Sequence, residues 1–173
     1  MNSIIIYGSE YGTTEKYARK LSETTGISAE SYKNMPDLSG YDRVIHFGGL
    51  YAGGVKGLKN TVKAMKGGTK LVIATVGLAD VTDKQNTDHI KKSIARQVPE
   101  KVLADASVFH LRGGIDYSKL NFAHKTMMTM LYNKAKNLPE EKKDAETRAM
   151  IETFGKVVDF VDFEALKQIE EIL

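Results

Sequence analysis

A chain of 173 residues fits one domain with room for a sizeable core. Its 42% hydrophobic and 27% charged residues, with three Pro and no Cys, exclude a disordered chain, disulfides, thiolate catalysis and Cys-held iron–sulfur or zinc centres. Redox work would require a bound cofactor. The net charge of +3 is uneven, because residues 140–173 hold ten acidic and five basic side chains while residues 1–139 hold 20 basic and 12 acidic. That bias either steers an anionic partner or is a solvated surface joined to an acidic C-terminal helix.

The opening MNSIIIYGSEYG has a short apolar run without a basic leader, so it does not read as a signal peptide and the expected location is cytoplasmic. No stretch approaches the roughly 20 apolar residues of a spanning helix, which leaves peripheral membrane contact open but predicts no transmembrane segment.

Ser3 to Tyr7 is a β-branched run stopped by Gly8, and Thr14 to Thr24 reads as a helix with Tyr17, Ala18 and Leu21 inward. Ile27 to Tyr32 is a weaker strand, and Arg43 to Phe47 a stronger one ending at Gly48-Gly49. A helix follows from about Leu58 to Met65. Lys70 to Val76 is a nearly continuous apolar strand, of the kind buried on both faces of a parallel sheet, and Gly77 stops it.

Thr87 to Gln97 reads as a helix, and Ser107 to Leu111 as a last strand before Arg112-Gly113-Gly114. Alternating strands and helices predict a three-layer α/β fold with a parallel sheet. In the C-terminal third, Phe122, Ala123, Met127, Met130 and Leu131 recur at helical spacing. Ala149, Phe154, Val157, Val158 and Val161 suggest a second helix closing the sheet, across a charged connection from about Asn137 to Asp144. The chain is thus expected to be a single domain over 1–173, with an extended helical region from about 122.

The glycine-bearing loops follow the first, third, fourth and fifth strands, at the carboxyl ends where an open parallel sheet places its ligand crevice. The first loop, Gly8-Ser9-Glu10-Tyr11-Gly12-Thr13-Thr14, brings hydroxyls and backbone N–H groups to a helix start, which suits a phosphate if Glu10 faces away. Simple capping of the helix by Thr13 or Thr14 accounts for the same residues. There is no GxxxxGK[ST] and no G-x-G-x-x-G, which argues against nucleotide hydrolysis and NAD.

YGSEYGTTEKYA resembles the phosphate loop of flavodoxins, with Ser9, Gly12 and Thr14 matching the (Ser/Thr)-x-Thr-Gly-x-Thr arrangement and Tyr11 standing where Thr is usual. YDRVIHFGGLYAGG resembles that family's third strand and second flavin loop, and LVIATVGLADVTD its fourth strand and third loop. A looser similarity, SVFHLRGGIDYSKLNFAHKTMMTML, is to the flavodoxin-like, menaquinone-dependent protoporphyrinogen oxidases of bacteria.

The resemblance implies a flavodoxin-like sandwich with five parallel strands in the order 2-1-3-4-5, binding FMN. It implies that Ser9, Glu10, Tyr11, Gly12, Thr13 and Thr14 wrap the phosphate. Gly48, Gly49, Leu50, Tyr51, Ala52 and Gly53 would run beside the isoalloxazine, with Tyr51 stacking. Val76, Gly77, Leu78 and Ala79 would border its other side. The aromatic frequent in that last loop is missing, so Tyr117 is a second candidate to cover the ring.

The implied activity is electron transfer with a redox partner protein. The alternatives are an FMN-dependent oxidoreductase with a quinone acceptor or an acidic small-molecule substrate, and a cofactor-free interaction module of the same fold. No catalytic side chain is assigned, because the flavin carries the electron chemistry.

His46 lies in an apolar strand and reads as a satisfied core histidine. His89, His110 and His124 show no metal-ligand spacing, so no metal site is expected. Arg112 at a strand end is either a counter-charge for reduced flavin or an acidic substrate, or an exposed structural residue. The Met127, Met128 and Met130 cluster is either core or a soft partner or membrane surface. Lysines spread without an aromatic-basic pattern, and nucleic-acid binding is not expected.

Overall fold

The computed structural model describes residues 1–173. Five strands form the parallel sheet: β1 (Ser3–Gly8), β2 (Ala29–Ser31), β3 (Arg43–Tyr51), β5 (Lys70–Gly77) and β6 (Ser107–Arg112). Their order is β2-β1-β3-β5-β6, the 2-1-3-4-5 arrangement of a three-layer flavodoxin-like sandwich. A short β4 (Gly54–Val55) folds back antiparallel on β3.

The pleat sends alternate residues to opposite faces. On one face Ile5, Tyr7, Ile45, Phe47, Val72, Ala74 and Val76 pack against helix α1 (Thr13–Thr25) through Tyr17, Ala18 and Leu21. The C-terminal segment completes this layer, a 3-10 turn at Phe163–Leu166 running into α7 (Lys167–Glu170), with Leu166 and Ile169 buried. On the other face Leu71 and Ile73 meet Leu58 of α2 (Leu58–Ala64) and Ile90 and Ile94 of α3 (Lys84–Ala95). Helix α4 (Glu100–Ala104) leads into β6.

The strand at Arg43 runs past the expected stop at Gly48-Gly49, because Leu50 and Tyr51 pair with Val55 and Gly54 in a hairpin. The weaker second strand shrinks to three residues. Helix α3 begins before Thr87 because the Asp83 carboxylate accepts the Gln85 amide at 2.8 Å and caps the helix.

The C-terminal third departs further from expectation. Helix α5 (Phe122–Lys136) and α6 (Ala145–Thr153) form, but Phe154, Val157, Val158 and Val161 do not extend a closing helix. Gly155 turns left-handed at φ 75°, and the β-branched Val157-Val158 enters β8 (Val157–Asp159). That strand pairs antiparallel with β7 (Gly114–Asp116), matching Ile115 to Val158. Residues 117–156 are therefore an excursion on a two-stranded stem. Its own small core holds Ile115, Tyr117 and Met128, with Leu131, Met150 and Phe154 packed around them.

Candidate functional site

A cavity of about 420 Å³ opens at the carboxyl ends of β1, β3 and β5 and is roofed by α5 and α6. It is lined by Ser9, Glu10, Tyr11, Thr13 and Thr14 from the first loop, Gly49, Leu50, Tyr51, Ala52 and Gly53 from the second, and Val76, Gly77 and Leu78 from the third. Three distant glycine-bearing loops thus share one space, as the strand order requires. Gly12, Gly48, Ala79 and Tyr117 are outside the lining. Tyr117 is buried edge-on against Phe154, 5.3 Å between centroids, with its hydroxyl unpartnered and its pKa pushed up to about 12 by burial. It does not fold over the cavity.

Gly12 caps α1 in the left-handed region (φ 88°) without any side-chain hydrogen bond to the helix. Capping by Thr13 or Thr14, the alternative reading of this loop, does not occur. The Thr13 hydroxyl donates to the Gly114 carbonyl at 2.9 Å, and Ser9 Oγ accepts the Gly12 amide at 3.0 Å. Thr14 is buried under Gly49, where a Cβ would stand 3.0 Å from its hydroxyl. The first-turn amides of a 13-residue helix are left to a ligand or water. Glu10 pairs with Lys56 and has His124 Nε2 at 3.6 Å, so two basic groups face the one acid of the loop. Burial pulls the Lys56 ammonium pKa down.

The hairpin loop Ala52-Gly53 has φ 50° and 76°, a two-residue turn left-handed at both positions. Ser93 and Arg96 of the neighbouring helix end hold the Gly53 carbonyl at 2.6 and 3.2 Å. Below it, the fully buried His46 bridges the Lys56 carbonyl and the Thr61 hydroxyl, each at 3.0 Å. The core reading of His46 holds, and its bonds fix the segment that carries Lys56 to the site.

Just past the end of β5, the Leu78–Ala79 peptide is gripped on both sides. Arg112 Nε and Nη2 donate to the Leu78 carbonyl at 3.1 and 2.7 Å, while its guanidinium lies 3.8 Å from the Phe160 ring centroid. Arg112 is a clamp on the third loop rather than a free counter-charge. The Glu146 carboxylate accepts the amides of Leu78 at 2.7 Å and Ala79 at 3.0 Å.

The roof engages the tyrosines. The Tyr11 hydroxyl donates to Met128 Sδ at 3.0 Å and that of Tyr51 to Met127 Sδ at 2.7 Å. Burial raises the Tyr11 pKa. Of the methionine cluster only Met130 is strongly exposed, at 67%, and Phe122 likewise points outward. The helix presents Met128, Leu131 and Ala135 to the cavity instead of the face set by Phe122 and Met130.

Lys56, Asp144 and Glu146 line the cavity although nothing in the sequence marks them, and His89, weighed there only as a metal ligand, lines it too and meets Asp144 at 3.1 Å. No helix is long and apolar enough to cross a membrane.

The donor set fits a phosphorylated planar ring: open helix amides at one end, and apolar walls from Leu50, Val76, Leu78, Met128 and Leu131 beyond them. Among solved structures, a flavoprotein in complex with FMN from Lactobacillus acidophilus NCFM is 14% identical, aligned over 64% of this chain and 91% of that one with a TM-score of 0.47. A cysteine-to-alanine mutant of flavodoxin from Pseudomonas aeruginosa is 19% identical over 79% and 97%, with a TM-score of 0.37. Flavodoxin from Fusobacterium nucleatum bound to flavin mononucleotide is 8% identical over 100% and 99%, at 0.46. No curated protein sequence matches the chain. The flavodoxin domain family matches residues 4–142, from β1 through the whole sheet and α5, and the chain belongs to that family.

Proposed function

We propose that the chain, read as one flavodoxin-like domain, holds FMN in this cavity and acts in electron transfer with a redox partner protein. The observation that carries the reading is the uncapped N-terminus of α1 inside the loop Ser9–Thr14. A phosphate there accepts from the first-turn amides and gains from the positive end of the helix dipole. Lys56 offsets the charge of Glu10, so the loop does not repel an anion.

Gly49, Leu50, Tyr51, Ala52 and Gly53 serve one side of the ring, and Val76, Gly77 and Leu78 the other. Tyr51 is the aromatic wall, its phenol steadied by Met127 and its ring by the Lys56 ammonium 5.2 Å from the centroid. FMN supplies reversible electron chemistry when bound, and the protein's part is to position it and shield it from water.

Titrating the purified chain with FMN and with riboflavin, followed by quenching of flavin fluorescence, tests the reading. One equivalent of FMN binds, at least about tenfold more tightly than riboflavin, since each charge-assisted bond to phosphate is worth about 1.5–3 kcal/mol. Equal affinities would remove the phosphate assignment. No binding of either would leave a cofactor-free interaction module.

The roof over the cavity favours one second reading, an FMN-dependent oxidoreductase acting on an enclosed small molecule. Its finer form is the protoporphyrinogen oxidase type with a quinone acceptor. Multiple turnovers with a water-soluble quinone, against none for a carrier lacking its partner, separate the two.

A further inference from the structure

We propose that Glu146, which lies on α6 beyond the family-matched residues 4–142, determines ligand specificity by presenting a carboxylate acceptor to an N–H at the edge of a planar heterocycle. The imide of a flavin ring has such an edge, and the inference rests on the FMN reading above.

The carboxylate is built into the wall. Its Oε1 and Oε2 accept the successive amides of Leu78 and Ala79 at 2.7 and 3.0 Å. The carbonyl of the Leu78–Ala79 peptide, whose N–H meets Oε2, is held by the two bonds from Arg112. Gly77 leaves the room this needs, since a Cβ there would stand 2.8 Å from Glu146 Oε2 and 2.7 Å from Leu50 Cδ1. The start of α6 is fixed in turn by Asp144, whose Oδ1 accepts the Thr147 amide at 2.7 Å and whose Oδ2 meets His89 Nε2 at 3.1 Å.

Two amides leave a carboxylate with acceptor capacity on both oxygens. It can only accept while ionised, so it welcomes a ligand edge that donates and penalises one that presents lone pairs alone. Burial, and after it the nearby Asp144, raise the Glu146 pKa while the two amides hold it down, so a ligand taking those amides for itself would strand the carboxylate in the wall, which is the more costly outcome. Binding onto Glu146, rather than in its place, follows.

The test compares FMN with FMN methylated at its imide nitrogen, by fluorescence titration on the unaltered protein, Glu146→Gln and Glu146→Ala. The unaltered protein prefers FMN by roughly 10- to 100-fold, as expected for one charge-assisted hydrogen bond. The preference shrinks in Glu146→Gln, which keeps a carbonyl acceptor, and approaches unity in Glu146→Ala. A ratio near one in the unaltered protein overturns the assignment, and that measurement stands even where a variant fails to fold. Tighter FMN binding by Glu146→Ala also overturns it, by making the carboxylate a competitor for the amides. If the unaltered protein binds no FMN at all, the functional reading falls and this one with it; binding without discrimination overturns this one alone.

Discussion

Acidification should destabilise this protein through His46 before its carboxylates protonate. The ring is fully buried in β3, with Nε2 at 3.0 Å from the Lys56 carbonyl and Nδ1 at 3.0 Å from the Thr61 hydroxyl. A neutral ring protonated at Nε2 satisfies both, donating to the carbonyl and accepting from the hydroxyl; a charged ring turns Nδ1 into a second donor facing Thr61. Burial pulls the pKa from 6.5 to about 4. The unfolded chain therefore binds the proton first as pH falls. Stability is at its full value above about pH 6.5, declines between there and about 4, and is constant with respect to this group below.

The whole window is worth about 3 kcal/mol, and about 2 kcal/mol is gone by pH 5. Urea unfolding of the natural protein and of His46→Gln at pH 7, 6 and 5 isolates the effect, because His110, whose pKa burial also lowers, titrates alike in both. The natural protein should lose about 2 kcal/mol more than the variant between pH 7 and 5. Parallel pH dependences would refute the neutral bridge.

Two further substitutions probe the joints of the fold. The Tyr17 hydroxyl donates to the Arg112 carbonyl at 2.7 Å and accepts the Asp162 amide at 2.9 Å, tying α1 to β6 and to the returning C-terminal segment. Tyr17→Phe leaves both groups unpartnered and should cost about 2 kcal/mol or more in thermal unfolding, with an unchanged midpoint counting against the tie. Ala52 sits at φ 50° in the hairpin that edges the cavity, a conformation asparagine tolerates better, so Ala52→Asn should add about 0.5–1 kcal/mol in urea unfolding. A loss instead would mean that the turn is held by something other than its local conformation.

The sheet was legible because its signals are local. Ile4, Ile5 and Ile6, and Leu71 through Val76 save for Thr75, are apolar on both faces since both faces are covered, and a glycine closes each run. The same logic failed after Thr153. Phe154, Val157, Val158 and Val161 keep a helical spacing, but Phe154 packs on Tyr117 and Tyr132, Val157 and Val158 pair with β7, and Val161 packs on the core of the α1 side, and nothing near them in sequence says so. Leu166 and Ile169, buried on the α1 side, carried a usable sign in their three-residue spacing.

The cavity divides along the same line. Residues that meet it at a strand end, such as Ser9, Gly49 and Val76, are placed by the parallel sheet, and a glycine beside each reveals them. Side chains that reach it from the excursion are hidden in ordinary contexts: Glu146 sits in EEKKDAETR, a run that reads as a solvated helix start. What distinguishes it is Asp144. Once the Asp144 carboxylate caps the Thr147 amide, the first turn of α6 is fixed, and the roof position of that helix turns one acid of the run onto the Leu78 and Ala79 amides. Glu141, in the same run, stays exposed. An acid two residues after a helix cap is common, so only the β7–β8 stem, which brings residues 117–156 back over the sheet, makes this one part of the site.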